Sequence, residues 1–172
     1  IFFTADHGLS VGHHGLVGKQ NQYDHSIRVP FVVVGPDVPK GVTDPTPIYL
    51  QDVMPTTLEL AGAHQPEHVF FKSLLSRLGQ TKSGASPKPY ESIYGSYLTL
   101  QRSITHDGWK LIIYPNAKVL RLYHVEDDPY EAVDLAADPE CAEKISQLFD
   151  RFIVLQRELQ DPVDVTYLRP SK

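Results

Sequence analysis

The sequence predicts an α/β chain that opens in buried parallel sheet and closes in a small antiparallel sheet packed by a terminal helix. Three observations carry this. Two short apolar, β-branched runs lie near the start, at residues 1–4 and 29–34. Four strand-like segments separated by turn residues follow between positions 92 and 124. An apolar stripe at helical spacing then runs from Ala142 to Leu159.

Residues 1–4 (IFFT) read as the end of a buried strand, closed by the polar turn Ala5-Asp6-His7-Gly8. The run has neither an initiator Met nor a basic leader before it, so it is expected to continue a strand begun upstream. A loop rich in Gly and His extends to about Asp24. The run at 29–34 (VPFVVV), closed by Gly35-Pro36, is predicted to be a second buried strand of a parallel sheet. Residues 52–61 are predicted to be a helix: Asp52 can cap it, Pro55 sits in the first turn, Gly62 can close it, and Met54, Leu58 and Ala61 share one face. A short amphipathic segment follows at 71–78.

The stretch 79–89 (GQTKSGASPKP) has linker composition. It divides the chain into an α/β portion, 1–89, and a carboxy-terminal α+β subdomain, 90–172. In the second part, 92–98, 102–105, 110–114 and 119–124 are the predicted strands, joined by turns such as His106-Asp107-Gly108 and Pro115-Asn116. Asp138-Pro139 starts the last helix. Ala142, Ile145, Leu148, Phe149, Phe152, Leu155 and Leu159 form its apolar face, and Asp161-Pro162 ends it.

The chain has 172 residues, 41% of them hydrophobic and 22% charged, which excludes a disordered or fibrous protein. A formal net charge of -5 and the lack of any Lys/Arg run argue against a nucleic-acid partner. The single cysteine, Cys141, excludes an internal disulfide framework and a multi-cysteine zinc site. No apolar run is long enough for a membrane span.

Chemistry concentrates in the first twenty-eight residues. Asp6 and His7 stand at a strand end, where side chains of α/β proteins converge on ligands. A carboxylate oxygen and an imidazole nitrogen can both donate to a divalent cation. Lys19, after Gly18, lies in a loop able to fold back on the same spot, and a cation beside an ammonium group makes an anion site suited to sulfate or phosphate. His13 and His14 are further candidates. The residue types alone reach a metal-assisted anion site and equally allow a plain turn with a surface lysine and solvated histidines.

The stretches Phe3-Thr4-Ala5-Asp6-His7-Gly8, Gly12-His13-His14-Gly15-Leu16, Gly18-Lys19 and Ser26-Ile27-Arg28-Val29-Pro30-Phe31 resemble the signature of sulfatases, members of the alkaline-phosphatase-like superfamily. The resemblance continues through Gly35-Pro36, residues 51–62 (QDVMPTTLELAG), Trp109-Lys110-Leu111-Ile112 and residues 122–129 (LYHVEDDP), the last two resembling the family's carboxy-terminal hairpin. It implies the carboxy-terminal part of an alkaline-phosphatase-like sandwich. By it, Asp6 and His7 match the second pair of ligands to the family's divalent cation, calcium in most members. Lys19 matches a lysine that contacts the sulfate group, so it is the implied catalytic and substrate-binding residue. His14 falls in the family's His-Gly after the metal pair, and His13 takes a position that is commonly acidic; both are implied substrate-side residues. The implied substrate is a sulfate ester, small molecule or sulfated glycan.

The nucleophile the family uses is a formylglycine made from a Cys/Ser-x-Pro/Ala-Ser-Arg motif. That motif does not occur here, nor does the first aspartate pair, so both are expected in an amino-terminal part and the isolated chain is expected to be inactive. Cys141, in Pro139-Glu140-Cys141-Ala142-Glu143, is expected to pack. Arg28 is expected to pair with Asp24, four residues earlier. Two other functions stay open on sequence: phosphonate or phosphate monoester hydrolysis within the superfamily, and a non-catalytic anion- or partner-binding module.

Overall fold

The structure is a computed structural model describing residues 1–79 and 89–170. Most of the predicted linker therefore lies outside the described residues. The chain forms two compact units, Ile1–Asp6 with Pro30–Glu91 and His7–Val29 with Ser92–Lys172. Residues 7–29 thus group with the carboxy-terminal sheet.

In the first unit, β1 (Phe2–Thr4) and β4 (Phe31–Val33) pair with Phe2 opposite Val33 and Thr4 opposite Phe31. The pairing is antiparallel, which corrects the expected parallel sheet. Apolar β-branched runs specify a strand but not its direction, and the intervening residues hold no long crossover helix of the kind a parallel pair needs. One face of the pair is open: Phe3 is 65% and Val32 51% exposed.

Helix α2 (Val53–Leu60) follows a 3-10 turn at Leu50–Asp52 and ends at Gly62, whose φ of 67° is one glycine adopts without penalty. Asp52 does not cap it. Its carboxylate is buried and accepts hydrogen bonds from Tyr49 N (2.9 Å), Lys72 N (3.0 Å) and Tyr90 OH (2.6 Å). The buried face carries Pro55 and Thr56, while Met54, on the apolar face, is exposed. Thr56 decides this, because its hydroxyl donates to Asp52 O at 2.5 Å and accepts from Leu74 N at 2.9 Å, ties that apolar periodicity cannot register.

The second unit is built on a sheet ordered β5 (Ser92–Tyr97), β6 (Gln101–His106), β7 (Trp109–Tyr114), β8 (Val119–His124), antiparallel throughout. Asp107 and Gly108, both at positive φ, make the β6–β7 turn, as the right-handed twist of a hairpin requires. Helix α3 (Ala142–Glu158) follows a 3-10 turn at Pro139–Cys141, where Asp138 Oδ1 accepts from Glu140 N at 2.9 Å. The helix lies on the sheet as expected. Ile145, Leu148, Phe149, Phe152 and Ile153 pack on Tyr94, Ile104, Leu111, Ile113 and Leu122. Ala142 and Leu159 are exposed instead of buried, and Cys141 packs at the edge of this core.

Side chains alternate across a strand, so the other face of β7 carries Lys110 and Ile112. Residues 7–29 cover that face, with Tyr23 packed on Ile112 and Tyr123. The sheet is buried from both sides, which is why β7 reads as a continuous apolar run around one lysine. Among the described residues no helix is long and apolar enough to cross a membrane.

Candidate functional site

The covering segment is a folded unit in its own right. β2 (Ser10–Val11) and β3 (Val17–Gly18) form a hairpin. Its tip, Gly12-His13-His14-Gly15, takes positive φ at Gly12, His14 and Gly15, and the buried Ser10 hydroxyl lies 3.1 Å from His13 O and 3.0 Å from Leu16 O. Helix α1 (Asp24–Ile27) returns the chain, and Gly8 N donates to Ser26 O at 2.8 Å. Position 8 requires glycine, since a Cβ there would run into the His25 carbonyl oxygen.

The hairpin brings its two ends together, and with them His7 and Lys19. Lys19 Nζ stands 2.5 Å from His7 Nε2, while His7 Nδ1 stands 2.8 Å from Gly8 O. A carbonyl can only accept, so Nδ1 carries the proton, and Nε2 presents its lone pair to the ammonium. Asp6 is an exposed residue preceding His7 in the chain. Among the described residues no group of three or more His, Cys, Asp and Glu could hold a metal ion. In this geometry both ring nitrogens of His7 are engaged, Nδ1–H by Gly8 O and the single Nε2 lone pair by the Lys19 ammonium, so Nε2 could face a cation only once Lys19 had turned away.

His13 and His14 make their ring contacts elsewhere. His14 lies flat on the buried Tyr23 ring at 3.9 Å and 10°. His13 sits 5.6 Å from His25 and 6.2 Å from Tyr130, beside a cavity of about 220 Å³ that Arg28 also lines. The Arg28 guanidinium pairs with Asp24 at 3.6 Å, as the i,i+4 spacing predicts, but is 76% exposed, so the pair contributes under about 1 kcal/mol.

Sequence reading missed the charge cluster beneath this surface. Lys110 Nζ donates to Asp24 Oδ1 and, at 2.6 Å, to Glu131 Oε1, while Glu131 Oε2 accepts from Asp24 N at 2.7 Å. Burial pushes the Glu131 carboxyl above the ordinary range, and the Lys110 ammonium pulls it back only in part. The available signal was a lysine inside an apolar strand.

Among the described residues, His25 Nε2 is buried without a hydrogen-bond partner. Burial first, then His14, His13 and Lys110, hold its pKa below the ordinary histidine value, against the weaker pull of Asp24. A base with a depressed folded pKa binds fewer protons folded than unfolded, so its contribution is intact above about pH 6.5 and is lost as pH falls toward the folded pKa. Accordingly, the thermal midpoint of the native chain should drop more between pH 7 and pH 5 than that of His25→Gln. Parallel midpoint-versus-pH curves would refute this assignment.

Burial and the Asp138 and Glu140 carboxylates raise the Cys141 thiol pKa and disfavour the thiolate that a nucleophile needs.

By fold the chain is of the alkaline-phosphatase-like class. It superposes at TM-score 0.85, over 96% of its length and 36% of the other chain, on a protein solved in complex with its substrate D-glucosamine-2-N,6-O-disulfate, at 24% identity. A phosphonate monoester hydrolase from Silicibacter pomeroyi shares the fold at TM-score 0.78 and 20% identity, over 95% of this chain and 35% of that one. Residues 12–158 match the family described as N-sulphoglucosamine sulphohydrolase, C-terminal, and the chain belongs to that family. Among curated relatives, arylsulfatase K of Xenopus laevis is 26% identical over 86% of this chain and 29% of its own length. Choline-sulfatase of Rhizobium meliloti is 32% identical over 81% of this chain and 27% of its own. The chain thus spans under a third of the curated relatives it matches.

Proposed function

We propose that this chain supplies the sulfate-contacting amine and the second metal-ligand pair to the active site of a sulfate-ester hydrolase. The observation that carries the reading is the 2.5 Å approach of Lys19 Nζ to His7 Nε2, which sets an ammonium beside a candidate metal ligand. Asp6 and His7 would hold a divalent cation, calcium by family, which would act as Lewis acid and template. Calcium takes 6–8 oxygen ligands, so this pair is part of a sphere that other residues complete. Lys19 offsets charge on the sulfuryl oxygens as the ester bond breaks, an electrostatic role that needs no change in its own protonation. His7 Nε2 has one lone pair, so taking the cation there would release the Lys19 ammonium toward the sulfuryl oxygens, with the ring still fixed by Gly8 O. His13 and His14, whose rings pack on His25, Tyr130 and Tyr23, would meet the substrate only if they turned from those contacts. The nucleophile, formylglycine in this family, comes from outside these 172 residues.

The substrate class is a sulfate ester, and the solved relative bound to a disulfated glucosamine favours a sulfated sugar. The second reading, phosphonate or phosphate monoester hydrolysis, draws on the phosphonate monoester hydrolase that shares the fold. Matched chromogenic esters separate the two. The full-length protein carrying this sequence is expected to release sulfate faster than phosphate or phosphonate, and the reverse order would overturn the proposal. The isolated 172-residue chain is expected to turn over none of them and to bind calcium weakly in a calorimetric titration; tight binding would contradict the two-ligand assignment.

A further inference from the structure

The residues following Lys19 are tied to the sheet at successive steps. Gln101 Nε2 on β6 donates to Gln20 O at 3.2 Å. Ser103 Oγ donates to Gln22 Oε1 at 2.9 Å, in a space that exists because position 95 on β5 is glycine: a Cβ there would strike both oxygens. Lys110 Nζ reaches Gln22 O at 3.4 Å and binds Asp24 Oδ1, while Glu131 orders that lysine and takes the Asp24 amide. Lys110 is 0% and Glu131 1% exposed, and Glu131 adopts a φ of 55°, unfavourable for a non-glycine residue.

Stability alone accounts poorly for this arrangement. Apolar side chains of similar volume commonly stabilise a core as well as a buried ion cluster does. What they cannot do is satisfy Gln22 O and the Asp24 amide, which are main-chain groups needing polar partners. The cluster sits where the sheet must grip a loop by its backbone, immediately after the residue whose ammonium meets His7.

We infer that Lys110, together with Glu131, is a positioning residue for Lys19: it fixes the backbone of residues 20–24 and so the place of the Lys19 ammonium. This rests on the reading that Lys19 contacts the sulfuryl oxygens. Lys110 touches neither substrate nor metal.

The test uses the full-length protein and a chromogenic sulfate ester. Lys110→Met alone leaves buried carboxylates without their cation and risks unfolding, so the informative variant is Lys110→Met/Glu131→Gln, which removes opposite charges together. Two readouts are taken. In amide hydrogen exchange, residues 20–28 should lose protection about tenfold while β6, β7 and β8 keep theirs. In kinetics, kcat should fall by about 10- to 100-fold, the scale of an ångström-sized misplacement, and the same change made in Lys19→Ala should cost less than about threefold, because its effect acts through Lys19. Unchanged exchange in residues 20–28, or a full multiplicative loss on top of Lys19→Ala, overturns the inference. If the native protein has no sulfatase activity, or Lys19→Ala keeps it, the functional reading fails instead, and the exchange measurement still decides whether Lys110 holds the segment.

Discussion

In the full-length protein, Lys19→Ala lowers kcat for a sulfate ester by about 10²–10³-fold, the range seen when one group stabilising a developing oxyanion is removed. Lys19 is exposed, and its ammonium is placed by His7 Nε2 at 2.5 Å. Replacing an exposed side chain changes folding stability by within about 0.5 kcal/mol, so the variant should melt with the native protein and the loss is assignable to chemistry. Lys19→Arg keeps the charge but presents a planar fork instead of a compact ammonium, and the close seat beside Nε2 suits only the latter. Partial recovery, well short of native turnover, is therefore expected from Arg. A Lys19→Ala enzyme retaining a third of native kcat would remove Lys19 from the mechanism.

How much of this was legible in the sequence depends on the range of the interaction. The four strands and helix α3 were legible because alternation and 3.6-residue periodicity are local, and the turn at Asp107-Gly108 and the cap at Asp138 are local too. The importance of His7 and Lys19 was legible by resemblance. Their contact depended on a hairpin whose tip runs through His14 at φ 55°, a conformation that the flanking glycines announce only in part. Asp52 was misread because its side chain serves Lys72 and Tyr90, 20 and 38 residues away, not the helix it precedes. The antiparallel pairing of β1 with β4 was hidden because apolar runs of either direction look alike. Lys110 was hidden most deeply. Its partner Asp24 lies 86 residues earlier, and only the fold shows that residues 7–29 cover the sheet face on which it stands.

Phe152→Ala should destabilise the second unit by about 3–5 kcal/mol, at the upper end for a buried aromatic, because the hole it leaves cannot close. Phe152 is 0% exposed and stacks on Tyr94 at 5.2 Å and 16°, with Phe149 at 6.2 Å on its other side. Tyr94 is the natural candidate to move in, but its hydroxyl donates to Asp161 Oδ2 at 2.6 Å, and Asp161 is itself held by Arg102 Nη2 at 2.9 Å. Following the missing ring would break a buried, charge-assisted bond, so Tyr94 stays and the cavity persists. The stacking term, about 0.5–1.5 kcal/mol, is lost as well. A domain of this size is stable by only about 5–15 kcal/mol, so the substitution takes a large share of the total. It should appear in a urea titration as a lower midpoint at unchanged slope. Tyr94→Phe separates the two causes: with the hydroxyl gone, the ring is free to tilt, and Phe152→Ala should cost less in that background than alone. Equal costs in both would mean that Asp161 does not pin the ring, and a loss below about 2 kcal/mol would mean that the core closes over the gap by another route.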